Sequence, residues 1–144
     1  EVKVKAYSHP LGETSVGFFG AEGLAAAHRR AFPRSLDGAP VLLPVETSSL
    51  RRALDHWFDA EGIRPRVVGE VEDSALLKVL GQAGLGLFPA PLAIEEEIRR
   101  QYGVKLVGRV DAVKERFYAL SVERRIKHPA VLAISEAARS RLFS

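Results

Sequence analysis

Apolar residues along the chain recur at two spacings. In "TSSLRRALDHWFDAEG", Leu50, Ala53, Leu54, Trp57 and Phe58 fall at i, i+3, i+4, i+7 and i+8, one side of a helix. Ser48 or Ser49 is placed to cap its start and Gly62 to end it. "DSALLKVLGQA" predicts a second helix, capped by Asp73 or Ser74, with Leu76, Val79, Leu80 and Ala83 turned inward. "AEGLAAAHRRAF" and "IEEEIRRQY" predict two more, and Pro129 opens a last one with Val131, Ile134, Ser135, Ala138 and Leu142 on one face. Between the helices stand short apolar or alternating runs: "GETSVGFFG", "VLLP", "RVVGEV", "LGLF", "VKLVGRV" and "RFYALSVERR". Strands alternating with helices predict an α/β fold, a mostly parallel sheet with helices on its faces.

Gly81, Gly84 and Gly86 crowd "LGQAGLGLFPAP" and raise the possibility of a phosphate loop. A dinucleotide fingerprint runs strand, glycine turn, helix; here the helix comes first and the spacing is G-x-x-G-x-G. The expectation is instead a helix C-cap at Gly84 and a strand bare of side chains where another backbone or a ligand passes close.

Composition narrows the classes. At 144 residues, 47% hydrophobic and 27% charged, the chain fits one globular domain with a real core. Its longest apolar runs fall far short of the roughly 20 residues a membrane helix needs, and no signal peptide opens it, so a soluble cytoplasmic protein is expected. Without cysteine, disulfides, thiol catalysis and thiolate zinc sites are excluded. The net charge of +3 is mild, and the arginines come as dispersed pairs (Arg29-Arg30, Arg51-Arg52, Arg99-Arg100, Arg124-Arg125) that read as solvated surface and not as a nucleic-acid patch.

Catalytic motifs are missing. The histidines His9, His28, His56 and His128 never stand at i, i+4 on one helix, and no HExxH, GxSxG or Walker lysine occurs. His56 reads as solvated, His128 as a cap for the last helix, and Trp57 as core. Glu95 with Arg99 and Glu96 with Arg100 are helical ion-pair spacings on an exposed face, not an acid/base cluster. No enzyme chemistry and no cofactor are expected. What remains lies at strand ends, where open α/β sheets bind ligands: "LPVETSS" delivers Glu46, Thr47, Ser48 and Ser49 to a helix start, and "GEVEDS" delivers Glu72, Asp73 and Ser74. Hydroxyls and free N–H groups there suit a small anion, and carboxylates suit a cation bound through oxygen.

The phrases "LDHWFDAEGIRPRVVGE", "ALLKVLGQAGLGLFPAP" and "YALSVERRIKHPAVLAISEAAR" resemble the C-terminal effector domain of LysR-type transcriptional regulators, and within them the NhaR-type subgroup, which activates sodium/proton antiporter genes. The resemblance covers nearly the whole chain. It implies a fold like the type 2 periplasmic binding proteins, two α/β subdomains joined by crossover strands around an effector cleft. It also implies a regulator that forms homodimers or tetramers and reads DNA through an N-terminal winged helix-turn-helix. On that pattern the chain is a truncated effector domain, with residues 1–12 a remnant of the first subdomain, 13–113 the second, and 114–144 the return strand and last helix. The apolar faces of "VKVKAY" and the last helix would then be covered by another chain, which predicts a homodimer or strand exchange. Carried over residue by residue, Thr47, Ser48 and Ser49 face the effector, and Gly86, Leu87 and Phe88 sit on the strand lining the cleft. If the signal is sodium, Glu46, Glu72 and Asp73 are the candidate ligands. A regulator sensing a small organic anion is the alternative, and a transporter's solute-binding protein a further one.

Overall fold

The computed structural model describes the backbone of residues 7–121 and the side chains of residues 11–116. The expected helix from Pro129, the cap at His128 and the opening "VKVKA" fall outside the described residues. The elements run β1 (Tyr7–Gly20), α1 (Glu22–Arg29), β2 (Pro40–Pro44), α2 (Ser49–Glu61), β3 (Arg66–Val71), α3 (Ser74–Gln82), β4 (Phe88–Pro91), α4 (Glu95–Tyr102) and β5 (Lys105–Ser121), with single 3-10 turns at Arg34–Leu36 and Leu92–Ile94. The chain divides into two compact units, Ser15–Val113 and a second made of 1–14 with 114–144. In the second unit Arg116 pairs with Glu13 at 3.4 Å, both exposed.

Within Ser15–Val113 the strands alternate as their apolar runs require. Val41 and Leu43 pack into one cluster with Phe18, Leu54, Trp57, Phe58 and Leu87, beneath α1 and α2. Leu42 turns the other way and packs with Phe19, Val71, Leu77, Phe88 and Ile98, beneath α3 and α4. Neighbouring residues such as Phe18 and Phe19 therefore serve opposite clusters, which is why these strands carry unbroken apolar runs. The result is a sheet covered by helices on both faces.

The sheet is mixed, which corrects the expectation of a mostly parallel one. β2 and β3 pair in parallel, from Pro40 opposite Arg66 to Pro44 opposite Val71. β1 pairs antiparallel with β4, Val16 opposite Pro91 and Phe19 opposite Phe88, in the order β4-β1-β5. The expected strand "VKLVGRV" and the described part of "RFYALSVERR", up to Ser121, run as one continuous strand, β5, since no proline separates them. Leu87 joins β2 to this second group: its N–H donates to the Pro40 carbonyl at 2.9 Å, and its carbonyl accepts from the Leu42 N–H at 2.7 Å.

Helix ends follow their caps. The Ser48 hydroxyl accepts from the Arg51 N–H and starts α2; Gly62, at φ 67°, ends it. Asp73 starts α3 by accepting from the Ala75 N–H at 2.8 Å. Beyond α3, Gly84 has φ 86° and its N–H reaches the Gly81 carbonyl, while Leu85 N–H reaches that of Leu80, a glycine-dependent stop of the Schellman type.

The inward stripe of α3 differs from the expected one. Leu77 and Gly81 are buried, whereas Leu76 and Val79 are each 47% exposed and Ala83 is exposed too; Leu80 packs partly inward. Two apolar stripes compete on this helix, and the ring of Phe88 decides between them. A Cβ at Gly81 would lie 2.1 Å from Phe88 Cδ1, so only the glycine stripe can face β4. Gly81→Ala is therefore expected to lower the unfolding free energy by about 2 kcal/mol through overpacking, and Phe88→Leu in the same chain to recover part of it. Gly84→Ala, with open space around it but a left-handed backbone, should cost only about 1 kcal/mol. Urea unfolding of the variants checks the order; equal losses at positions 81 and 84 would rule out the ring as the determinant.

Candidate functional site

Parallel pairing of Pro44 with Val71 sets the two outgoing segments side by side. Residues 45–48 lead into α2 and residues 72–73 into α3, so two helix N-termini start from adjacent strand ends. At such ends the first N–H groups of a helix lack partners within the helix and the dipole favours negative charge. Thr47 and Ser49 are exposed there and Ser48 is half-buried. The Ser48 hydroxyl is engaged as the cap, 3.3 Å from the Arg51 N–H.

Arg51 holds this end together, and here the reading of the arginine pairs as solvated surface fails: Arg51 is 7% exposed, while Arg52 is exposed. Its Nη1 donates to the Pro44 carbonyl at 2.9 Å and to Glu70 Oε2 at 2.6 Å. Its Nε donates to Asp55 Oδ1 at 3.0 Å. One guanidinium thus ties the last carbonyl of β2, the side of β3 and the second turn of α2. Burial by itself would lower the Arg51 pKa, but the hydrogen bonds to Glu70 and Asp55 and their charges outweigh it, and the net shift is upward. A lysine, a point charge without the fork, could not reach all three partners. The sequence signal that could have found it is slight: an i, i+4 Arg-Asp spacing at a helix start.

The other proposed residues separate. Leu87 bridges to Val41, near the first residue of β2, so Gly86, Leu87 and Phe88 enter the sheet at the end opposite the 45–49 segment, and all three are buried. Gly86 is bare because β2 passes close: a Cβ there would lie 3.1 Å from the Pro40 carbonyl oxygen and 3.2 Å from Val68 Cγ2. Glu46, Glu72 and Asp73 are exposed, and Asp73 is committed to capping α3. Among the described residues no three His, Cys, Asp or Glu side chains group so as to hold a metal ion, these three included. Glu46 follows the end of β2, and Glu72 and Asp73 follow the end of β3. Also among the described residues, no helix is long and apolar enough to cross a membrane.

Residues 5–142 match the family model of the LysR substrate binding domain. Over 138 residues, 96% of this chain, the sequence is 33% identical to the transcriptional activator protein NhaR of Escherichia coli, of which the chain spans 45%. Among solved structures, the effector binding domain of AmpR from Citrobacter freundii superposes with a TM-score of 0.65 at 16% identity, covering 95% of this chain and 68% of that one. The effector binding domain of QuiR in complex with shikimate gives 0.61 at 20% identity, covering 95% and 65%. At these identities the two structures speak for the fold, an effector-binding domain like the periplasmic binding proteins. The family model, with the related activator beside it, establishes that the chain belongs to the LysR substrate-binding domain family.

Proposed function

We propose that the chain is the effector-sensing and self-associating part of a LysR-type activator that controls sodium/proton antiport in response to sodium, with DNA read by an N-terminal domain. The observation that carries this reading is the 33% identity to the NhaR activator across 96% of the chain. On this reading Ser15–Val113 is the second subdomain of the effector domain, and the strand ends at 45–49 and 72–74 are its half of the effector cleft. Thr47 and Ser49 face the effector there, and Arg51 fixes the geometry behind them. Because the three carboxylates are not grouped, a sodium ion at this end would draw on hydroxyl and carbonyl oxygens. A small organic anion is the second reading, favoured by two helix N-termini that start from adjacent strand ends.

Self-association has its own support. Val67 and Val68 on β3, Leu76 and Val79 on the outer stripe of α3, and Leu85 just beyond it are 40–55% exposed. Among the described residues β3 pairs only with β2, so its other edge is open. An open edge beside an apolar stripe is a surface that solitary soluble domains avoid, and a second copy is its proposed cover.

Two measurements follow. A ligand that binds only the folded form raises stability, so the melting temperature in sodium chloride should exceed that in potassium chloride at matched ionic strength by roughly 2–4 °C at saturation. Equal values remove direct sodium sensing by this chain. For association, the Leu76→Asp/Val79→Asp variant is expected to sediment as a monomer at high ionic strength, with an unchanged far-ultraviolet spectrum, where the parent is a dimer. A variant that remains dimeric at that ionic strength places the interface elsewhere.

A further inference from the structure

α4 is short, acidic in its first turn and basic in its last: Glu95, Glu96 and Glu97, then Arg99 and Arg100. Its inner side is anchored by the buried Ile98. Its outer side lines an open groove of about 750 Å³ with Leu92, Ala93, Glu95, Glu96, Arg99, Arg100 and Lys105. The i, i+4 spacing predicts two ion pairs on this face, yet only Arg99 with Glu95 forms, at 3.3 Å. Glu96, Arg100 and Lys105 stay unpaired among the described residues, although Glu96 and Arg100 are one turn apart on the exposed face. Within α4 the free acid, Glu96, stands in the first turn and the free base, Arg100, in the last.

That distribution suits only some occupants. A small polyanion drawn to Arg100 and Lys105 would meet the negative end of the helix dipole and the nearby glutamates. A second α4 laid antiparallel is complementary at both ends, since a two-fold axis across the helix centre sets each acidic half over the partner's basic half. We propose that the outer face of α4 is a self-complementary ionic contact between two copies of this chain, with Glu96 of each opposite Arg100 of the other. The contact is distinct from the apolar β3–α3 face. It rests on the reading above only in that the chain self-associates, and it stands or falls separately. Ionic contacts at an exposed rim fix orientation more than they add affinity, so this one is weak alone and strongly dependent on ionic strength.

The test is charge reversal in the Leu76→Asp/Val79→Asp background, followed by sedimentation equilibrium at low and high ionic strength. Glu96→Arg alone places like charges opposite each other at both symmetry-related contacts, and so does Arg100→Glu alone. Each is expected to weaken dimerisation about tenfold. An equimolar mixture of the two single variants, and the double variant Glu96→Arg/Arg100→Glu by itself, should both restore it. Sodium and potassium chloride should weaken the contact equally. Unchanged association in the single variants, no rescue on mixing, or no association at low ionic strength overturns the proposal. Binding of pyrophosphate or a hexaglutamate peptide to the groove, lost in Arg100→Glu and unaccompanied by self-association, overturns it in favour of an anion or an acidic partner. A parent that is dimeric through some other face, with these rescues intact, overturns the β3–α3 interface and leaves the α4 contact standing.

Discussion

Two hydrogen bonds from one residue hold the sheet of this domain together. Leu87 donates to the Pro40 carbonyl and accepts from the Leu42 N–H, and through them the β2–β3 pair becomes continuous with β4, β1 and β5. Both hydrophobic clusters depend on that junction, because Leu87 faces one and Phe88 the other. The junction in turn depends on Gly86. With the Pro40 oxygen 3.1 Å from where its Cβ would be, any side chain pushes the strands apart and loosens both clusters at once. The glycines that suggest a nucleotide loop in the sequence are thus requirements of packing: one under a phenyl ring, one ending a helix, one beside a neighbouring strand.

Much of this was legible from spacing alone. α2 declared itself because stripe, cap and terminator agreed, and a helix in which all local signals coincide leaves tertiary structure little to decide. α3 did not, because its sequence offers two apolar stripes and the choice rests on Phe88, a residue outside the helix. Strand direction was equally hidden. β1 and β5 carry the same apolar pattern whichever way they run, and the antiparallel pairing of β1 with β4 follows from chain connections, not from composition.

The candidate site was legible in its turns and illegible in its support. Polar residues between a strand and a helix mark a strand end, which is how Thr47, Ser48 and Ser49 could be placed. A run such as "GLGLF" does not say which end of a strand faces a ligand; the register with β2 does, and it puts Gly86 to Phe88 at the far end. Arg51 was missed for a different reason. An arginine in a helical first turn reads as surface, and only the positions of Pro44 and Glu70, seven and nineteen residues away in sequence, make burial favourable. Removing either partner would leave a guanidinium short of a hydrogen bond in a half-dry place, so the cluster works as a unit.

The two layers of helices differ in a way that bears on partners. Beneath α1 and α2 the cluster holds Trp57, Phe58, Phe18 and a dozen smaller side chains, whereas beneath α3 and α4 the cluster is little more than half that size. Both helices on the thinner side are short, nine residues in α3 and eight in α4, and short helices owe most of their stability to what they pack against. α3 spends only Leu77, Gly81 and part of Leu80 inward, leaving Leu76 and Val79 in solvent; α4 commits Ile98 and leaves its charges half paired. Unused apolar capacity on one layer, beside an opposite layer whose helices expose no large apolar residue among those described, is the asymmetry expected of a domain whose native environment is an assembly. α3, which leaves Leu76 and Val79 of its apolar residues in solvent, is therefore the helix positioned to gain most from a neighbouring chain.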